Sequence, residues 1–179
     1  MDSIVNIYDP ARLGRNDLAQ PLSNAELRAL AFLLPLSADY PGIDQWFRIK
    51  VVPGLRQGTR LILPIERNGD LVGLGIAKNE GGERKICTVR VAPGHANRGI
   101  GVRLFDSLLK WLDHDQPHLT ISAGKLPLFE RIFDYYGFNV TSVREGLYVP
   151  HAVEYGYNEA SPFILPQAHP MRIEVAHPA

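Results

Sequence analysis

Sixteen consecutive residues constrain this chain more than any others. Val89-Arg90-Val91-Ala92-Pro93 reads as a strand stopped by a proline. Gly94-His95-Ala96-Asn97-Arg98-Gly99 reads as a tight turn, and Ile100-Gly101-Val102-Arg103-Leu104 opens a helix at once. That helix is predicted over 99–112. Leu104, Phe105, Leu108, Trp111 and Leu112 form its buried stripe, and Arg103, Asp106, Ser107, Lys110 and Asp113 lie on the other side. The first amides of a helix have no intrahelical acceptor. With no side chains at Gly99 and Gly101, an anion such as a phosphate can approach those amides closely. Arg98 and Arg103 stand ready to add charge. The segment is no Walker loop, because no Gly-Lys-Ser/Thr follows. It is no dinucleotide fingerprint either, since Leu104 occupies the place of the third glycine.

A strand leading into a helix calls for a parallel partner, and residues 118–123 supply the next strand. The other elements build outward from this unit. Residues 3–9 read as a first short strand. Ser23 and Glu26 form a capping box ahead of Leu27, Leu30, Ala31 and Leu34, and Pro35 is expected to end that helix. A second helix is predicted from Ile43, with Pro53-Gly54 closing it. Strands at 60–66, 71–78 and 85–92 are joined by Asn68-Gly69 and Gly81-Gly82 hairpins. Gly73 and Gly75 mark a close backbone approach or a bulge. A helix over 126–136 is capped by Gly137, and strands follow at 138–143 and 148–157. The prediction is α/β in the order β-α-α-β-β-β-α-β-α-β-β, a mixed central sheet of about seven strands with helices on both faces. Residues 1–157 form one expected domain, and residues 158–179, with four prolines, an expected tail.

Composition narrows the function classes. Nineteen basic residues balance nineteen acidic ones, and residues 1–60 hold no marked basic excess, so a generic pull toward nucleic acid is not expected. A single cysteine excludes an internal disulfide and any multi-cysteine zinc site. The six histidines are dispersed, and no metal site is assigned. The apolar run at 30–34 stops at Pro35, short of the ~20 residues needed to cross a bilayer. Met1–Val5 shows no leader pattern, so the expected location is cytoplasmic.

The strand-turn-helix segment resembles the acyl-CoA-binding motif of the GNAT superfamily of N-acetyltransferases, V-x-P followed by R/Q-x-x-G-x-G/A. Val91-Ala92-Pro93 and Gly99-Ile100-Gly101 match without a gap, while Ala96 stands where the family has Arg or Gln. Tyr135-Tyr136-Gly137-Phe138 resembles the end of the family's last helix, and Leu71-Val72-Gly73 its third strand. The resemblance implies the GNAT fold over residues 1–157. It also implies that the fourth and fifth strands splay apart to admit the pantetheine arm of acetyl-CoA. The pyrophosphate would then rest on the amides of Arg98, Gly99, Ile100, Gly101 and Val102, beside Arg103. The pantetheine would pair with the main chain of Val89 and Val91, and an amide of that strand would polarise the thioester carbonyl. The implied reaction is direct transfer of an acetyl group to a primary amine, carried by a small molecule or a protein. Two alternatives stay open: a non-catalytic CoA-binding module, and an acyltransferase acting on a nucleic-acid amine, such as a toxin acylating charged tRNA. A homodimer is compatible with either.

The family's general acid, a tyrosine four residues before the terminal glycine, is replaced by Phe133, which reads as core. Candidate catalytic residues are therefore Ser122 at the end of the fifth strand, Cys87 on the fourth, and Tyr136 near the departed position. Glu130 and Tyr148 are weaker candidates. Asp39, Tyr40 and Asp44, between the first two helices, are candidates for recognising a cationic acceptor. His95 lies beside the phosphate turn.

Overall fold

The computed structural model describes residues 21–159. The expected strand at 3–9 and most of the expected tail lie outside the described residues. Helix α1 (Asn24–Leu33) begins at the capping box. The Glu26 amide donates to Ser23 Oγ (3.2 Å) and the Ser23 amide to Glu26 Oε2 (2.6 Å). Pro35 ends the α-helix as expected, and a single 3₁₀ turn covers Leu34–Ala38. Helix α2 (Ile43–Trp46) passes through a wide π turn (Phe47–Val51) into α3 (Val52–Arg56). Pro53-Gly54 therefore does not close this helix. Pro53 follows directly on the wide segment, and the chain stays helical through it to Arg56.

Strands β1 (Arg60–Arg67), β2 (Asp70–Glu80) and β3 (Glu83–Val91) form an antiparallel meander. Asn68 and Gly69 both have positive φ, as a type I′ turn demands. Helix α4 (Ile100–Leu112) leads to β4 (Leu119–Ser122). Helix α5 (Leu126–Tyr136), β5 (Val140–Glu145) and β6 (Val153–Tyr157) follow. The second sheet has the order β4-β6-β5 and is antiparallel throughout.

Instead of one sheet of about seven strands, the described residues form two sheets of three, which corrects the sequence-based expectation. They touch at one parallel bridge, Lys85 with His118. There the Ile86 amide donates to the His118 carbonyl (3.0 Å) and the His118 amide to the Arg84 carbonyl (2.9 Å). Beyond it β3 carries a bulge. Ile76 pairs with Thr88 and Ala77 with Ile86, leaving Cys87 as the extra residue. A bulge bends and twists its strand, so β3 turns away from β4 as both run on.

Apolar residues pack on both faces of the first sheet. Leu30, Leu33, Phe47, Val51 and Leu55 cover one face with Ile62, Leu74 and Ile76. Leu104, Phe105 and Leu108 of α4 cover the other, joined by Phe133 and Phe138. Each such side chain, fully buried, contributes about 1.5–3 kcal/mol. The glycines of β2 set how near α4 can come. A Cβ on Gly73 would lie 2.7 Å from Ile100 Cγ2, and one on Gly75 would lie 2.9 Å from Leu108 Cδ1. Among the described residues, no helix is long and apolar enough to cross a membrane.

Candidate active site

The divergence of β3 from β4 leaves two strand edges facing a gap. Hydrogen-bonded residues alternate along an antiparallel ladder. The Ala92 amide donates to the Val72 carbonyl (2.9 Å), so the same alternation turns Arg90 toward β2 and the main-chain groups of Val89 and Val91 away from it. The bulge at Cys87 is what exchanges the two sets. Before it, Arg84 and Ile86 face β4; after it, Val89 and Val91 face the gap. Across the gap the Ala123 amide is engaged with Val153 of β6 (2.8 Å), and alternation turns Thr120 and Ser122 toward β3. The closed end is pinned by His118, whose Nδ1 lies 3.3 Å from Glu83 Oε1 and whose Nε2 lies 3.2 Å from Glu159 Oε1.

At the other end the chain turns into α4. Pro93–His95 makes one 3₁₀ turn, Asn97 (φ +57°) and Gly99 (φ +74°) are left-handed, and Gly99 is the N-cap. Among the described residues no side chain caps the helix, and no acidic residue lies in its first turn. The first intrahelical bond is from the Arg103 amide to the Gly99 carbonyl (3.1 Å), so the amides of Ile100, Gly101 and Val102 precede the ladder. Open space surrounds the Gly99 Cα. A Cβ on Gly101 would instead lie 3.1 Å from Ile132 Cδ1, so Gly101 serves the contact between α4 and α5. This helix start fits an anionic group.

The second sheet presents a polar face beside the gap. Ser122 on β4 pairs across the ladder with Glu154 on β6. Both are buried, and neither Ser122 Oγ nor Glu154 Oε2 has a hydrogen-bond partner of good geometry among the described residues. Tyr40, from the turn before α2, lies against Ser122, and its phenol is pushed up to about 12 by burial and by the charge of Glu154. Its ring stands edge-on to Tyr148 with centroids 5.2 Å apart, and the Tyr148 hydroxyl is 3.4 Å from Thr120 Oγ1. Asp39 pairs with Lys125 Nζ (3.1 Å). Burial, then the charge of Asp39, raise the Glu154 carboxyl to about 7, while Lys85 pulls it down.

Four of the sequence-derived candidates thus meet here: Ser122, Tyr40, Asp39 and the weaker candidate Tyr148. Asp44 does not join them, since it is exposed and paired with Arg48 one turn on (3.0 Å). Nor does Tyr136, whose hydroxyl donates to Asp106 Oδ1 (2.6 Å) and the Val102 carbonyl (3.3 Å). It ties α5 to α4 and packs on Phe105 and Phe138. Burial and the Asp106 carboxylate raise its pKa further, the wrong direction for a proton donor. Cys87 packs on the α1–α3 side, 3.6 Å from Arg60 Nη1. Burial pushes its thiol up, although Arg60 and two lysines oppose this, so it lacks the lowered pKa of a nucleophilic cysteine. Phe133 is buried among Phe105, Phe129, Phe138 and Tyr157. Glu130 is exposed, and His95 is half-buried in the turn. Glu154 escaped sequence reasoning. Its one signal was a carboxylate between Val153 and Tyr155 in a strand otherwise free of charge. No group of three His, Cys, Asp or Glu among the described residues is placed to hold a metal ion.

Residues 25–131, more than half of the chain, match the acetyltransferase (GNAT) family. Solved structures of the same fold include a GNAT-family acetyltransferase from Streptococcus pneumoniae (16% identity, 88% of this chain and 97% of that one, TM-score 0.60). Another is a ribosomal-protein-alanine N-acetyltransferase from Brucella melitensis (17% identity, 77% and 96%, TM-score 0.60). A third is an aminoglycoside 6′-N-acetyltransferase complexed with coenzyme A (12% identity, 77% and 93%, TM-score 0.57). No curated protein matches the sequence. The chain belongs to the GNAT acetyltransferase family.

Proposed function

We propose that this member of the GNAT acetyltransferase family moves an acetyl group from acetyl-CoA to a primary amine by direct transfer in a ternary complex. One conjunction supports the donor half of that reading. The uncapped start of α4 and the outward-turned main chain of Val89 and Val91 lie at one end of one splayed gap. The substrate acetyl-CoA brings an acetyl group activated as a thioester, and the chain binds and orients it. The amides of Arg98 through Val102 receive the pyrophosphate, where the helix dipole favours negative charge by about 0.3–1 kcal/mol. Arg98 and Arg103 add positive charge. Val89 and Val91 hold the pantetheine arm as an added strand, and a β3 amide polarises the carbonyl under attack. The acceptor enters from the side of Asp39, Tyr40 and Ser122. The raised thiol of Cys87 favours direct transfer over an acyl-enzyme.

Isothermal titration tests this. Acetyl-CoA is expected to bind at one site per chain. Gly99→Val is expected to weaken it strongly, because a branched side chain would fill the open space through which a phosphate approaches the helix amides. Nothing collides with the new side chain, so the fold should persist. No binding at millimolar acetyl-CoA refutes the reading. A second reading, a CoA-binding module without catalysis, is favoured by Phe133, which is core where the family has its acid. Binding with no release of CoA thiol across a broad amine panel would select it.

A further inference from the structure

Glu154 is the one charged side chain on the central strand of the second sheet, and the fold makes little use of it. It is 2% exposed, and Oε2 has no hydrogen-bond partner among the described residues. Such groups are rare because burying an unpaired polar atom is costly. The cations nearby are largely spoken for. Arg144, its ladder partner on β5, pairs with Glu159. Lys125, at the start of α5, pairs with Asp39. Lys85 acts from β3 through space alone. Facing Glu154 from the turn before α2 are Asp39 and Tyr40, with Tyr148 edge-on beyond. The orphaned Glu154 carboxylate and two tyrosine rings at the edge of a gap, with Asp39 already held by Lys125, form a receptor for a cation, since aromatic faces attract cations as carboxylates do.

We infer that Glu154 receives the ammonium of the acceptor beside the Tyr40–Tyr148 ring pair and takes its proton, which makes the acceptor a primary ammonium. The inference rests on the acetyl-transfer reading above. The balance is simple. The ammonium gives one proton to the Glu154 carboxylate. The freed nitrogen lone pair forms the C–N bond to the acetyl carbon as the C–S bond breaks, and the electron pair of that bond leaves with sulfur. The nitrogen's second proton goes to the thiolate, and Glu154 returns its own to solvent. A base serves best when its pKa lies near the working pH. Burial and Asp39 hold Glu154 at about 7 against the pull of Lys85. Tyr40, at about 12, stays protonated and remains a hydrogen-bond donor.

The test uses the full chain with ¹³C-carboxyl-labelled glutamate, the Glu154 resonance being the one lost in Glu154→Gln. Its titration midpoint is expected near 7. Added n-butylammonium should lower it by about one pH unit, as an opposite charge does, while n-butanol leaves it in place. Asp39→Asn should lower it without touching the carboxylate itself. Acetyl-CoA affinity of Glu154→Gln should equal that of the wild type. If acetyl-CoA does not bind the wild type, the acetyl-transfer reading falls and this inference with it. If acetyl-CoA binds but Glu154 titrates in the ordinary carboxylate range and ignores butylammonium, the inference alone is overturned. An equal response to tetramethylammonium, which has no proton to give, overturns the primary-amine assignment.

Discussion

Gly73 couples the stability of the fold to the geometry of the proposed donor site. A Cβ there would lie 2.7 Å from Ile100 Cγ2, with Leu104 Cδ1 at 3.4 Å and Ile65 Cβ at 3.5 Å. Ile100 cannot swing aside, because its Cγ2 hangs directly on a branched Cβ and the residue opens α4. Gly73→Val therefore has to lift the first turn of α4 off β2. Overpacking costs about 3 kcal/mol at the upper end of its usual range. The loss of glycine's extra chain entropy in the unfolded state returns about 0.5–1 kcal/mol. The net expectation is a destabilisation of about 2 kcal/mol, or roughly 4–8 °C in Tm for a chain of this size. Urea unfolding followed by circular dichroism measures it, and acetyl-CoA titration of the same variant should show weaker binding because the displaced turn carries the amides proposed to receive the pyrophosphate. Gly94→Ala is the control. Its Cβ meets nothing within 4 Å and its φ is ordinary, so stability should hold or rise by about 0.4–1 kcal/mol. An unchanged midpoint for Gly73→Val would refute the claim that the glycine exists to seat α4.

Two further outcomes follow from the same contacts. Tyr136→Phe removes the hydrogen bonds to Asp106 and Val102 and should cost about 0.5–1.5 kcal/mol in chemical denaturation. It should leave CoA-thiol release unchanged at saturating substrates, and a large fall in that rate would return Tyr136 to the catalytic machinery. Glu154→Gln probes linkage. An acid whose folded pKa is raised leaves stability untouched below about 4.5, where both states are protonated. It subtracts stability as pH climbs to about 7, because only the unfolded state ionises in that window. At about 1.4 kcal/mol per unit, the variant should gain on the wild type by up to about 3 kcal/mol between those pH values and no further above them. A stability difference flat with pH would show that Glu154 is not held protonated by its surroundings.

The order of elements from the capping box at Ser23 to the last strand was legible in the sequence, because each boundary is a local event. A Ser–Glu pair satisfies helix amides, Asn68-Gly69 supplies two positive φ values, and Gly137 (φ +65°) accepts the left-handed end of α5. The phosphate turn was legible for the same reason, since the helix, its missing cap and its glycines are contiguous. Pro53 misled because a wide turn immediately before it lets the helix run on through the proline.

What the chain alone could not determine is everything that depends on residues far apart meeting. The family resemblance implied that two strands part, but not where: β3 has its one extra residue at Cys87, and nothing in the alternation of 83–91 shows which residue will be left unpaired. That same bulge decides which backbone groups of β3 face the gap. Glu154 carries no local mark of function. Its carboxyl becomes unusual only because β6 lies between β4 and β5 and the turn before α2 brings Tyr40 and Asp39 over it. Burial and through-space charge are properties of the assembled structure, so the proposed donor half of the site was written in sequence and the proposed acceptor half arose on folding.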